Sequence, residues 1–249
     1  MTFGNPNLEA LRGAESQLLL DHLRPGMRVL ELGGGNGFQA RMVADHGCSV
    51  RSLDIPSRER PPVQHFPVEH YDGRHLPSGD GAFDAVFSCS VLEHVRDLPA
   101  LLDEVRRVLA PGGFMVHIVP STVWRFWTTV ARYPALAREL LHPDPARAAR
   151  ERRSRLRRAA SVTRSLLFVP PHGEHENALV ELYHFNRRVW TRLFEQNGWQ
   201  VSEVHGNGLF YTGCSTFPDL SVEWRKRLSR LLGSSCHVFV LRPGAPPRR

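Results

Sequence analysis

The sequence predicts an α/β protein, a doubly wound and mostly parallel sheet with helices on both faces. Three observations predict it. A short apolar strand runs into a glycine-rich turn and then a helix; an acidic residue closes the next strand; and strands alternate with helical stretches over the first 120 residues. With 249 residues, 41% of them hydrophobic, the chain can bury one large core.

The first strand and turn are residues 29–37, VLELGGGNG, with glycine at 33, 34, 35 and 37, and residues 38–44 have helical periodicity. Glycine reaches positive φ and lets the backbone approach a ligand, and the helix start beyond offers unpaired N–H groups. A nucleoside cofactor is held this way at the first crossover of a parallel sheet. The dinucleotide fingerprint G-x-G-x-x-G is met imperfectly. Counting from Gly33 puts Phe38 where the third glycine belongs, and counting from Gly35 puts Ala40 there, a tolerated variant. A nicotinamide-dependent oxidoreductase and a plain tight turn both stay open at this point.

Residues 48–53 read as a second strand, with Asp54 at its end. A carboxylate about 20 residues past the glycine turn can accept both hydroxyls of a ribose. Residues 68–71 form a weaker third strand closed by Asp72-Gly73. A polar turn over 76–82 leads to the apolar run 83–88, and Ser90-Val91-Leu92-Glu93-His94-Val95 follows. A helix over 99–109 stops at Ala110-Pro111-Gly112-Gly113, and 114–119 is a fifth strand.

In order, these stretches read E-L-G-G-G-N-G at 31–37, Asp54, D-G-R-H-L-P at 72–77, F-D-A-V at 83–86, L-E-H at 92–94 and L-A-P-G-G at 109–113. Over roughly residues 25–120 the series resembles the class I S-adenosylmethionine-dependent methyltransferase family. The resemblance implies a Rossmann-like, seven-stranded sheet ordered 3-2-1-4-5-7-6 whose last pair is antiparallel, and S-adenosyl-L-methionine as cofactor. It implies that Gly33, Gly34, Gly35 and Gly37 wrap the methionine portion and that Glu31 anchors its amino group, often through water. Asp54 then binds the ribose, Asp72 and the Gly73 backbone face the adenine, and Ser88 joins the same set. Gly34 departs from the family's more usual cysteine or other small residue. Asp72 reads also as a turn cap.

The chain is expected to divide into a core over 1–120 that includes an N-terminal helix at 8–23, a helical insertion over 121–184, and a return to the same sheet over 185–249. The insertion carries the charge. Residues 125–164 hold eleven arginines against three acids, a surplus that exceeds the +7 of the whole chain. Its first helix, over 121–142, places Val123, Trp124, Phe126, Trp127 and Val130 on or near one face, and Pro134 is expected to bend or break it. Asp144-Pro145 opens a second, arginine-rich helix. Three roles fit: a solvated lid, a surface for anionic membrane or a lipid-linked acceptor, and phosphate attraction to nucleic acid. Nucleic acid is the least favoured, because no recognised RNA-binding module accompanies the helix.

The polar cluster 172–177, HGEHEN, follows the insertion. Methyl transfer from a sulfonium requires an acceptor lone pair held in line and, for a hydroxyl, removal of its proton. His172 and His175 are the first candidates for that base, with Glu174 to orient either ring, and His94 is the next. A metal bound through His172-x-x-His175 lacks a third ligand specified by spacing, so no metal is expected. The remaining elements are a helix at 187–196, a strand at 199–204, a loop at 207–213 read as a mobile cover for the acceptor, a basic helix at 221–232 and a last strand at 237–241.

Four cysteines without paired spacing suggest reduced thiols. With no leader pattern and no apolar run of about 18 residues, the expected location is cytoplasmic. The expected activity is methyl transfer to oxygen on a small-molecule, glycan or amphiphilic acceptor. N-methylation, the oxidoreductase and a non-catalytic cofactor-binding partner protein are the alternatives.

Overall fold

The structure, a computed structural model, describes residues 6–57, 61, 63–141, 172–174, 177–213 and 220–244. Its elements are α1 (Pro6–Leu20), β1 (Arg28–Leu32), α2 (Phe38–Asp45), β2 (Ser49–Asp54), β3 (Glu69–His70), β4 (Phe83–Cys89), a 3-10 turn (Leu92–His94), α3 (Leu98–Val108), β5 (Leu109–Pro120), α4 (Thr122–Leu141), α5 (Ala178–His184), α6 (Arg187–Gln196), β6 (Trp199–Gly206), α7 (Val222–Leu232) and β7 (Cys236–Pro243). Among the described residues the strands form one seven-stranded sheet ordered β3-β2-β1-β4-β5-β7-β6. β1 to β5 pair in parallel, and β7 runs antiparallel to both β5 and β6.

Alternation along each strand decides which residues serve which face. Leu30 and Leu32 pack with Leu101, Leu102 and Val105 of α3 and with Phe194 of α6. Val29, Phe87 and Val116 point the other way, into a second core with Leu19 of α1 and Val43 of α2. Glu31 shares the parity of Val29, and the β1–β2 register sets it directly against Ser52. Ser88 has the opposite parity to Phe87 and pairs with His117.

α3 shows why these residues make this helix. Its Asp97 cap accepts from the Ala100 N–H, Pro99 stands in the first turn, and Leu98, Leu101, Leu102, Val105 and Val108 form one buried stripe. Each such side chain contributes about 1.5–3 kcal/mol when fully buried.

Four expectations need correcting or placing. Pro134 does not break the insertion's first helix: α4 runs through it to Leu141. Pro134 and Val130, whose carbonyl loses its helix donor, are both exposed, so this side of the helix faces solvent. Strand β5 starts at Leu109, five residues early, because Leu109 pairs with Phe83 before the irregularity at Pro111-Gly112-Gly113. The 207–213 loop, read as a mobile cover, is hydrogen-bonded to α1 and α4. Asn207 Nδ2 and the Tyr211 hydroxyl both donate to Glu15 Oε1, and the Gly213 N–H donates to Thr128 Oγ1. The arginine-rich helix expected from Asp144 onward lies outside the described residues. Within them, Cys48, Cys89 and Cys236 are buried free thiols, and no helix is long and apolar enough to cross a membrane.

Candidate active site

The glycine turn lies where β1 and β2 end side by side. The Gly33 and Gly34 N–H groups both donate to the Leu53 carbonyl, at 2.8 and 3.1 Å. Gly37, at φ 74°, caps α2, and a Cβ there would strike the Phe66 backbone. Asp54 is bound into the turn as well: its Oδ2 accepts the Gly35 N–H at 2.8 Å and its Oδ1 the Ile55 N–H at 2.7 Å.

Beneath the turn, Glu31 is 2% exposed and accepts a 2.5 Å hydrogen bond from the Ser52 hydroxyl. Burial pushes its carboxyl up to about 8, helped by the like charge of Asp54. Gly34 is obligatory in this packing. A Cβ on it would overlap the Ser52 hydroxyl and crowd Glu31 Oε2. A cysteine or alanine at 34 needs a different partner for the glutamate, which explains the departure at that position.

Asp72 stands at the far rim as a turn anchor. Its Oδ1 accepts the Arg74 and His75 N–H groups, each at 2.8 Å, and its Oδ2 lies 3.1 Å from the His75 ring. Those backbone bonds, with His75, hold its carboxyl down at about 2. Gly73 follows at φ 76°, beside Ile55, which is 55% exposed. Ile55 was not a sequence candidate. Its signal was an apolar residue directly after the strand-end acid, opposite the turn that carries Asp72. Ser88 is fully buried, and its hydroxyl lies 2.7 Å from Nδ1 of His117, itself buried and pulled down to about 3 by desolvation. The Ser88 side chain thus faces His117 on the α3 and α6 side of the sheet.

The second half of the site adjoins the first through Val91. A Cβ on Gly33 would collide with the Val91 side chain, so the cofactor turn packs directly against the start of the Leu92–His94 turn. His94 and His172 meet there, ring centroids 4.9 Å apart, although 78 residues separate them. Trp124 of α4 covers His172 at 4.6 Å. Glu93 lies under both rings, its Oε1 3.8 Å from Nε2 of His172 and 3.9 Å from Nε2 of His94. Burial pushes the Glu93 carboxyl up to about 8 and pulls His172 down to about 4, with His94 lowered for the same reason.

The strap 172–174 is fixed by its main chain. The His172 and Gly173 N–H groups donate to Glu181 Oε1 of α5, and the Glu174 N–H donates to the Glu93 carbonyl at 3.1 Å. Glu181 in turn pairs with Arg125 of α4 at 3.1 Å, both side chains buried. Glu174 pairs with Arg96 at 2.7 Å, and no hydrogen bond joins its carboxylate to the His172 ring among the described residues; its expected role towards His175 lies outside them. Of the three candidate histidines the structure joins His94 and His172, while His175 lies outside the described residues. Glu93 was read only as part of the L-E-H element and Trp124 only as part of an apolar helix face; neither of them, nor Arg125 or Glu181, was a site candidate.

A glycine turn at the first crossover, a carboxylate at each of the first two strand ends and an adjacent cluster of two imidazoles over a buried carboxyl are the features of a cofactor-dependent enzyme of the doubly wound class. The fit to a sulfonium nucleoside rests on the buried Glu31 carboxyl, a partner for an ammonium group, and on a turn whose glycines at 33, 34 and 37 let its backbone pack tightly between Val91, Ser52 and Phe66 beside Asp54. A methyltransferase-domain family matches residues 9–204, and the chain belongs to that family, among the class I S-adenosylmethionine-dependent methyltransferases. S-adenosylmethionine is accordingly its cofactor.

Among curated relatives, a malonyl-[acyl-carrier protein] O-methyltransferase from Serratia marcescens is 35% identical over 98 residues, 37% of this chain and 38% of that protein. A demethylmenaquinone methyltransferase from Beutenbergia cavernae is 38% identical over 106 residues, 40% of this chain and 43% of its own. A ubiquinone biosynthesis O-methyltransferase from Psychrobacter cryohalolentis is 30% identical over 118 residues, 41% and 44% of the two chains. The chain thus spans less than half the length of each of these relatives. Among solved structures, an S-adenosylmethionine-dependent methyltransferase from Mesorhizobium loti matches with a TM-score of 0.54 at 18% identity, covering 93% of this chain and 99% of that one. The geranyl diphosphate C-methyltransferase of Streptomyces coelicolor matches at 0.52 and 17% identity, over 94% and 79%. These two likenesses establish the fold.

Proposed function

We propose that the protein methylates a hydroxyl oxygen on an amphiphilic small-molecule or glycan acceptor. The observation that carries this is the convergence of His94 and His172 over the buried Glu93, one residue contact away from the cofactor turn through Val91 and Gly33. When bound, the cofactor supplies the electrophilic methyl group on sulfur. The chain's own residues must hold the donor, exclude water and accept the hydroxyl proton. Glu31 suits the donor's ammonium and Asp54 its ribose, while the three side chains at 93, 94 and 172 offer acceptors for a proton within the distance of one hydroxyl group.

Exposed apolar surface on α4 and α5, on the helix faces turned away from Trp124 and Glu181, supports contact with an amphiphilic acceptor or with the lipid that carries it. Phe126, Val130 and Tyr133 of α4 and Leu179 and Tyr183 of α5 are all exposed large side chains on the two helices that hold the strap. The names of two relatives, one acting on malonyl-[acyl-carrier protein] and one in ubiquinone biosynthesis, support oxygen as the acceptor atom. Peripheral contact with anionic lipid through the arginine-rich segment 125–164 belongs to the same proposal, without Arg125, whose charge is buried against Glu181. The buried free thiols support a reducing, cytoplasmic setting.

The test is transfer of a labelled methyl group to paired phenol, enol and carboxylate acceptors with and without an alkyl tail. Tailed hydroxyl acceptors are expected to be labelled by the intact protein, and His172→Ala is expected to cut kcat at least about 100-fold while S-adenosylhomocysteine affinity is retained. Labelling confined to amines, or a His172→Ala variant as active as the parent, overturns the proposal.

A further inference from the structure

Glu93, His94 and His172 present ligand-type atoms that all lie within 4.8 Å of one another. Both oxygens of the Glu93 carboxylate are buried and accept no hydrogen bond from any described residue. A buried carboxylate without donors is costly, and a cation at bonding distance removes that cost. The two imidazole Nε2 atoms approach the same carboxylate oxygen, Oε1, from separate chain segments.

From this geometry we infer that Glu93, His94 and His172 bind one divalent metal ion of the zinc class. Two imidazoles and one carboxylate form a donor set that leaves a fourth position open. Bonds of this type place tetrahedral ligands about 3.4 Å apart, so the 3.8 and 3.9 Å histidine–glutamate separations require a closure of about half an ångström, and the two imidazole nitrogens, within 4.8 Å of each other, one of at most about 1.4 Å. The two rings are partly exposed, at 43% for His94 and 33% for His172, which leaves the fourth position on their open side.

The supports of these ligands are built independently of any ion. Trp124 covers the His172 ring, Glu181 holds the His172 N–H, and the Glu174 N–H ties the strap to the Glu93 carbonyl. Gly173 permits that approach, since a Cβ there would strike the Glu93 carbonyl oxygen. Outer contacts of this kind fix ligand orientation. A second trio, His22, Glu203 and His205, has similar spacing, but its glutamate is exposed and it contains no buried carboxylate without donors.

The catalytic use of the ion rests on the hydroxyl acceptor proposed above. With the ion bound, these three side chains would act as ligands in place of proton acceptors, and the ion would acidify an acceptor oxygen in the open position, whose proton would pass to solvent on the exposed side of the rings. The oxygen's lone pair then forms the O–C bond as the C–S bond breaks and that electron pair leaves on sulfur.

The experiment is titration of the EDTA-treated full chain with Co2+, followed by d–d absorption and calorimetry, then displacement with Zn2+. One Co2+ per chain is expected, with the intense absorption of a four- or five-coordinate site. His94→Ala, His172→Ala and Glu93→Gln should each weaken Co2+ binding by about 100-fold or more, beyond what loss of an outer contact brings. His205→Ala should leave it unchanged. S-adenosylhomocysteine titration and circular dichroism show which variants keep the fold, and Glu93→Gln preserves side-chain shape where alanine does not. The inference is overturned by an intact, S-adenosylhomocysteine-binding protein that takes up no stoichiometric Co2+, by binding that survives all three substitutions, or by loss of binding in His205→Ala. Co2+ binding without methylation of any hydroxyl acceptor would keep the metal site and sink the proposed reaction; methylation unaffected by chelation, with no Co2+ uptake, would do the reverse.

Discussion

The glycine turn and the histidine cluster, the proposed cofactor and acceptor halves of the site, are held together in opposite ways. Around the glycine turn, the parts come from neighbours in sequence or in the sheet: Gly33 and Gly34 on Leu53, Gly35 on Asp54, Glu31 on Ser52. At the histidine cluster, residues 93–94, 124–125, 172–174 and 181 come from four segments with no shared ladder, and a buried ion pair at their back fixes the geometry. Sheet register thus guarantees the first half. The second depends on one charged contact between two helices of the insertion.

That difference predicts where the molecule is brittle. Arg125→Ala leaves Glu181 charged, buried and short of its partner, which should cost about 3–5 kcal/mol and be the largest loss of thermal stability from any single change discussed here. Replacing both residues together, Arg125→Met with Glu181→Leu, should recover most of that stability. It should not recover activity, because the His172 and Gly173 N–H groups lose their acceptor. Melting curves and methyl-transfer assays on the single and double variants separate the two effects. An active double variant would show that the strap holds His172 without Glu181.

Gly34→Val is the matching change in the other half. The new side chain has to displace Ser52 and Glu31, an overpacking cost of about 1–3 kcal/mol, and S-adenosylhomocysteine binding should fall below detection by calorimetry. His94–His172 chemistry is untouched by this substitution, so Co2+ uptake should persist. Loss of both together would mean that the two halves form one cooperative unit through Val91.

The same contrast explains what could be read in advance. The glycine turn, and the places of Asp54 at a strand end and Asp72 in a turn, were legible as local geometry because such positions impose residue types at fixed spacing, while their roles came from the resemblance. The strand order followed from family resemblance, since periodicity alone does not order strands. Glu93 and His172 could not be paired from the sequence: nothing local marks a contact across 79 positions, and the strap's partner, Glu181, looks like any helix-surface glutamate. Pro134 misled because its local rule ignores which side of the helix faces solvent. Asn207 and Tyr211 could not be read as anchors because a glycine-bearing loop looks free until Glu15 is found beneath it.

Ser88→Ala tests whether strand parity assigns roles correctly. Its hydroxyl serves His117 on the α3 and α6 side of the sheet, so the substitution should cost about 1–3 kcal/mol by leaving a buried ring nitrogen without a partner. Cofactor affinity should not change. A tenfold loss of S-adenosylhomocysteine binding at unchanged stability would return the Ser88 side chain to the cofactor set.

The smallest expected effect is a fraction of a proton. Glu31 keeps its proton up to about pH 8 in the folded protein, whereas an unfolded glutamate loses it near 4.5. The folded state therefore binds more protons between those values, and this group's contribution to stability falls as pH rises through that window. A bound ammonium reverses the preference by stabilising the carboxylate. S-adenosylhomocysteine binding near pH 7 should then release protons from Glu31 and tighten as pH rises towards about 8. Calorimetry in two buffers of different ionisation enthalpy measures the release, and Glu31→Gln should abolish it while flattening the stability profile over the same range. A binding enthalpy identical in both buffers would mean that Glu31 stays protonated and meets the donor as a neutral acid, leaving Asp54 as the ionised carboxylate of the cofactor half.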